Sequence, residues 1–139
     1  MERTRLAPLV GIVGSLGVAG LLVVPYALVR ESPGTAVATY YGTGAVNPLF
    51  AGVIAFVLVI VLAAGREGRT DPDLAAGVGL TFGLFLVGLT ALWAVTVPRE
   101  MVFGMAGPGP LAYHRWLLAA VAAVVPVAST WWTRTLGLV

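Results

Sequence analysis

The sequence predicts an all-α integral membrane protein, an antiparallel bundle of four transmembrane helices. Apolar residues make up 59% of the chain and charged residues 10%, against about 45–50% and about 25% in soluble globular domains. The apolar residues also fall into four stretches, and a helix needs about 20 such residues to cross a bilayer core about 30 Å thick. Because the chain has 139 residues, we expect one domain over residues 1–139.

The spans are predicted at residues 6–29, 48–64, 72–97 and 110–131, with no Asp, Glu, Lys or Arg in their central parts. Asn47 and Asp71 each precede a proline. This pairing favours a helix start, because the side chain caps a free N–H and proline has none to satisfy. Gly65 follows the second span and is predicted to end that helix, since glycine is the favoured residue after a C-terminal cap.

The charges predict how the helices are oriented. The connection at residues 66–71 is short, so the second and third helices must be antiparallel neighbours. With the N-terminus inside, the inner side holds more arginines than the outer side, which places both termini in the cytoplasm and the chain in the cell membrane. The inner arginines are Arg3, Arg5, Arg66, Arg69 and Arg134, and the outer ones are Arg30, Arg99 and Arg115.

Small residues recur at four-residue spacing and predict where the helices touch, because close packing replaces the hydrophobic drive between helices in lipid. These residues are Gly11, Ser15 and Ala19 in the first helix, Ala75, Gly79 and Gly83 in the third, and Ala119 and Ala123 in the fourth. Packing within one chain is the favoured interpretation. A homodimer face on the third helix, through Gly79 and Gly83, is the alternative.

Several kinds of chemistry are excluded or unsupported by the composition. The chain has no cysteine, which excludes disulfides, thiolate nucleophiles and cysteine-held metals. An ionisable residue at membrane depth would be a functional candidate, and the central parts of the spans have none. We therefore predict no cofactor, no metal site and no catalytic residues. No run of basic residues suggests nucleic acid as a partner.

The remaining polar residues are predicted to gather at the outer face of the bundle. They include Arg30, Glu31, Tyr40, Tyr41, Asn47, Arg99, Glu100, Tyr113, His114 and Arg115. His114 could accept a proton or hold a metal, but an interfacial histidine is more often bonded to a carbonyl or to water. Arg115 could bind an anionic headgroup, although snorkelling or an ion pair with Glu31 or Glu100 is the more common arrangement.

Four segments resemble a family of small four-span membrane proteins from halophilic archaea. They are RTRLAP at residues 3–8, YYGTGAVNPL at 40–49, AAGREGRTDP at 63–72 and YHRW at 113–116. The resemblance covers nearly the whole chain and implies a four-span topology and a halophilic host. It implies no activity, cofactor or catalytic residue.

Three functions remain open on the sequence. The favoured one is a non-enzymatic accessory, scaffold or assembly subunit that meets a membrane protein partner. The second is a small-solute transporter or channel, acting as a homo-oligomer, with a path lined by Ser15, Thr81, Thr90 and Thr96. The third is an interfacial enzyme or lipid-binding protein that uses His114 with Glu31 or Glu100, and Arg115 on a lipid headgroup.

Overall fold

The computed structural model describes residues 3–28, 38, 41–42, 46–96 and 111–138. Four helices account for most of them: α1 (Arg3–Leu28), α2 (Leu49–Arg66), α3 (Pro72–Thr96) and α4 (Leu111–Thr135). All four are long and apolar enough to cross a membrane. The predicted all-α four-helix architecture is therefore confirmed.

The helices form a ring in which α1 packs against α2 and α4, and α3 packs against the same two helices. Buried residues recur along each helix at alternating spacings of three and four, as in the seams of left-handed helix bundles. In α2 the buried residues are Ala51, Ala55, Leu58, Leu62 and Gly65. In α3 they include Ala75, Gly79, Gly83, Leu86, Thr90 and Trp93.

The starts of α2 and α3 use the capping residues that the sequence predicts. The backbone N–H of Leu49 donates to Oδ1 of Asn47 over 3.0 Å. In the same way, the N–H of Asp73 donates to Oδ1 of Asp71 over 3.0 Å. Each cap satisfies one amide that lies in the first turn and has no helical partner.

The predicted end of α2 at Gly65 is wrong. The helix continues to Arg66, and the residue with a left-handed backbone is Gly68, with φ of 78°. The N–H of Arg69 donates to the carbonyl of Ala64 over 2.9 Å, which is the bond of a Schellman motif that needs such a glycine. Gly65 is instead buried within the helix.

Helix α4 extends past its predicted limit at residue 131 and ends at Thr135. The hydroxyl of Thr135 donates to the carbonyl of Trp132 over 2.8 Å, and Gly137 has a φ of 76°. The N–H of Leu138 then donates to the carbonyl of Thr133 over 2.9 Å. The same glycine-ended motif therefore closes α2 and α4.

Glycines set the closest approaches between helices. A Cβ at Gly65 would clash with the Cβ of Ala75 and lie 2.9 Å from Cη2 of Trp132. A Cβ at Gly79 would lie 2.5 Å from Oγ of Ser129, and one at Gly83 would lie 3.0 Å from the backbone nitrogen of Pro126. Gly79 and Gly83 therefore face α4 of the same chain.

The other residues predicted for helix packing differ in burial. Gly11, Ser15 and Ala75 are buried, whereas Ala19 is half-buried. In α4 the predicted pair, Ala119 and Ala123, is half-buried. The buried face of α4 lies one residue to the side and includes His114, Leu118, Ala122, Val125, Ser129 and Trp132.

We predict that Gly65→Ala lowers the free energy of unfolding by about 1–3 kcal/mol, because the added methyl overpacks the contact with Ala75 and Trp132. The matched control is Gly77→Ala, since a Cβ at Gly77 meets nothing within 4 Å. Denaturant unfolding in detergent micelles measures both variants. Equal stability of the two variants would show that the close approach of α2 to α3 and α4 does not contribute to the stability of the bundle.

Candidate functional site

Three aromatic side chains from different parts of the chain meet inside one end of the bundle. Tyr41 comes from the connection between α1 and α2, Trp93 from α3 and His114 from α4, and all three are buried. The Tyr41 and Trp93 rings meet edge to face with centroids 5.6 Å apart. The His114 ring lies 6.1 Å from Trp93 and 6.5 Å from Tyr41. We call these residues the aromatic cluster and this end of the bundle the histidine end.

Two members of the aromatic cluster bond to successive carbonyls of α1. The hydroxyl of Tyr41 donates to the carbonyl of Leu22, and Nε2 of His114 bonds to the carbonyl of Leu21. A carbonyl oxygen only accepts, so Nε2 of His114 carries the hydrogen in this bond. The cluster therefore ties α4 and the first connection to the backbone of α1.

The remaining residues of the predicted outer-face cluster separate into different environments. Asn47 caps α2. Tyr113 is 73% exposed and so points away from the buried face that His114 occupies. The Arg115 guanidinium lies 5.5 Å from the centroid of the Trp116 ring, a cation–π geometry. The residues outside the described part of the chain are Arg30, Glu31, Tyr40, Arg99 and Glu100.

Trp93 belongs to the site but is not among the residues predicted for the outer-face cluster. It continues the seam of α3 through Gly83, Leu86 and Thr90. The signal is therefore present in the sequence as a spacing of three and four residues from the glycines. The spacing of the buried residues selects Trp93 for the interior of the bundle. The neighbouring Leu92 does not fit this spacing and is 44% exposed.

The opposite end of the bundle holds an ionic contact between α1 and the end of α2. The guanidinium of Arg66 donates from Nε to the carbonyl of Arg5 over 2.9 Å, and Arg5 donates to the carbonyl of Arg66 over 3.4 Å. Both arginines also pair with the carboxylate of Glu67, at 3.1 and 3.4 Å. We call this the arginine end. The sequence predicts Arg5 and Arg66 on the same side of the membrane, whereas their contact with each other and with Glu67 is seen only in the structure.

Several hydroxyls of the helices bond to backbone carbonyls of their own helix, whereas the buried hydroxyl of Ser129 has no hydrogen-bond partner among the described residues. Ser15 donates to Gly11 over 2.9 Å, and Thr90 donates to Leu86 over 2.9 Å. Thr96, which is exposed, bonds to Leu92 over 2.7 Å. Thr81 is exposed on the outside of α3. The four hydroxyls suggested for a solute path thus divide into two buried ones and two exposed ones within this chain.

Acidic and imidazole side chains do not converge in the described ranges of the chain. Within residues 3–28, 46–96 and 111–138, together with residues 38, 41 and 42, no group of three His, Cys, Asp or Glu side chains could hold a metal ion. The buried aromatic cluster at the histidine end contributes an imidazole, a phenol and an indole.

A family model described as a family of unknown function (DUF7548) matches residues 1–137. The chain belongs to DUF7548. Neither the comparison with curated proteins nor the comparison with solved structures found a match.

In this DUF7548 protein the aromatic cluster has the geometry of an anchor. Its imidazole and phenol both donate to main-chain oxygens of α1, and a carbonyl left unbonded in an apolar interior is costly. The buried rings pack against one another, and apolar contact and edge-to-face geometry both stabilise them. The arrangement fixes the histidine end of the bundle.

We predict that Tyr41→Phe lowers the free energy of unfolding by about 0.5–1.5 kcal/mol, because the ring remains and only the hydroxyl that bonds to Leu22 is lost. Thermal or denaturant unfolding in detergent measures the change. Tyr113→Phe is the matched control, since this tyrosine is 73% exposed and its hydroxyl is expected to matter little. A loss that is equal in both variants would contradict an anchoring role for Tyr41.

Proposed function

We propose that this chain is a non-enzymatic multi-pass membrane subunit, an accessory or scaffold component of a larger membrane assembly. The observation that carries the proposal is the use of the buried polar side chains. His114, Tyr41, Ser15 and Thr90 donate to backbone carbonyls of the bundle itself. The His114 and Tyr41 bonds join α4 and the first connection to α1, and the Ser15 and Thr90 bonds satisfy hydroxyls within their own helices. A bundle whose polar groups are used in this way has the fixed shape that a scaffold needs.

Close helix packing supports the same function. Backbones that approach at glycines gain van der Waals contact, which is the main attraction between helices in lipid. Gly79 and Gly83 provide that approach between α3 and α4, and Gly65 provides it beside Ala75 and Trp132. A bundle packed in this manner presents a surface of fixed shape to a neighbouring membrane protein.

Large apolar side chains cover the outside of the bundle and suit contact with lipid or with other transmembrane helices. On α2 these exposed residues include Phe50, Val53, Phe56 and Ile60, and on α3 they include Leu84 and Phe85. Their exposure fits the interior of a bilayer, because an apolar surface of this extent is not stable in water.

We further infer that both termini lie in the cytoplasm. The helices alternate in direction, so the start of α1, the connection from α2 to α3 and the end of α4 share the arginine end. Arg5, Arg66, Arg69 and Arg134 lie there, and arginine is favoured on the cytoplasmic side of short loops and helix ends.

We predict that a tagged chain purified from native membranes in mild detergent carries a second membrane protein at a fixed stoichiometry. Mass spectrometry identifies the partner, and tagging that partner must recover this chain in return. A tagged, equally expressed membrane protein of unrelated sequence controls for non-specific capture. Recovery of the chain alone, as a monomer, would contradict the accessory role.

Because the chain has no cysteine, single cysteines can report its orientation. We predict that Gly42→Cys, at the histidine end, reacts with a membrane-impermeant maleimide in intact cells. Leu138→Cys, at the arginine end, should react only after the membrane is made permeable. Both positions are exposed, so each is the control for the other, and the reverse pattern would place the termini outside. This result does not depend on whether a partner exists.

A further inference from the structure

Pro25 lies inside α1, three residues before the helix ends at Leu28. In a helix, the N–H of each residue bonds to the carbonyl four residues earlier. Proline has no N–H, so Pro25 leaves the carbonyl of Leu21 without its helical donor. The next carbonyl, that of Leu22, keeps the N–H of Tyr26 as its expected partner.

His114 bonds to the carbonyl that Pro25 leaves without a donor. Its Nε2 bonds to the oxygen of Leu21 from a different helix, α4. The imidazole is only 3% exposed and packs beside the rings of both Tyr41 and Trp93. The donor is therefore fixed at the break in the bonding pattern of α1.

Tyr41 offers an internal comparison. Its hydroxyl bonds to the carbonyl of Leu22, which the helix can already satisfy through the N–H of Tyr26. The Tyr41 bond is thus an additional contact on a carbonyl for which regular helix geometry still provides a donor. The His114 bond is a replacement for one that is missing.

We propose that Pro25 makes the last turn of α1 a hinge, and that His114 holds this hinge closed by supplying the hydrogen bond that proline removes. A membrane helix tolerates an internal proline when neighbouring groups satisfy the freed carbonyl. When the His114 bond opens, residues 26–28 are free to move relative to the rest of α1. The bond therefore controls the position of the histidine end of α1 and goes beyond the scaffold role.

A double-mutant cycle tests the proposal on the full chain in detergent micelles. The four proteins are the parent, Pro25→Ala, His114→Phe and the double variant, and the readout is amide hydrogen exchange at residues 26–28. His114→Phe keeps a planar ring and removes the donor. We expect it to accelerate exchange about 5- to 30-fold, the range that one or two kcal/mol produces in an equilibrium.

In the Pro25→Ala background, the same His114→Phe change should alter exchange by less than about twofold, within the usual error of additivity. The reason is that the N–H of an alanine at position 25 bonds to Leu21 within the helix. Tyr41→Phe is the matched control. Its effect should be the same with proline or alanine at position 25, because regular helix geometry provides a donor for the carbonyl of Leu22 in both.

Three results would overturn the hinge. They are an unchanged exchange rate in His114→Phe, an equal acceleration in both backgrounds, and an acceleration spread evenly over all four helices. If His114→Phe alone does not fold, the double variant decides the question. Recovery of a folded bundle on adding Pro25→Ala supports the proposal, and failure to recover it overturns the proposal.

Discussion

The structure depends on the close approach of helix backbones at glycines. Lipid tails are as apolar as the side chains, so burial alone gives helices little reason to associate. Contact between backbones has to supply the attraction, and it requires positions without a Cβ. Gly79 and Gly83 place α3 against α4, and Gly65 places α2 beside Ala75 and Trp132. Buried residues that recur at spacings of three and four keep these contacts aligned along the whole length of the bundle.

Close backbones impose a second requirement, since each polar group between them needs a hydrogen-bond partner. The hydroxyls of Ser15 and Thr90 meet it locally by bonding to carbonyls one turn earlier. At the histidine end the requirement is met between helices. Pro25 removes a donor from α1, and His114 of α4 bonds to the carbonyl concerned. The imidazole of His114 is therefore bonded to the backbone of another helix.

The two ends of the bundle are closed by different chemistry. At the arginine end, Arg5 and Arg66 each bond to a backbone carbonyl of the other and share the carboxylate of Glu67. These groups are partly exposed and remain compatible with water and lipid headgroups. At the histidine end, Tyr41, Trp93 and His114 form a buried set of rings. The arginine end can therefore lie at the boundary between the membrane and water. The histidine end contains Pro25, the proline at which α1 can bend.

The sequence by itself determined the number of helices, their approximate limits and the caps at Asn47 and Asp71, because composition, length and capping act over a few neighbouring residues. It also identified Gly79 and Gly83 as packing positions and His114 and Tyr41 as candidates. Only the tertiary structure decided which glycine ends α2, that Leu118 and Ala122 of α4 are more deeply buried than Ala119 and Ala123, and that Trp93 joins the aromatic cluster. A helix can rotate by one residue without changing its own composition or spacing. Its rotation is fixed by the shapes of the neighbouring helices. His114 and the carbonyl of Leu21 to which it bonds lie far apart in the chain, so their pairing also depends on the tertiary structure.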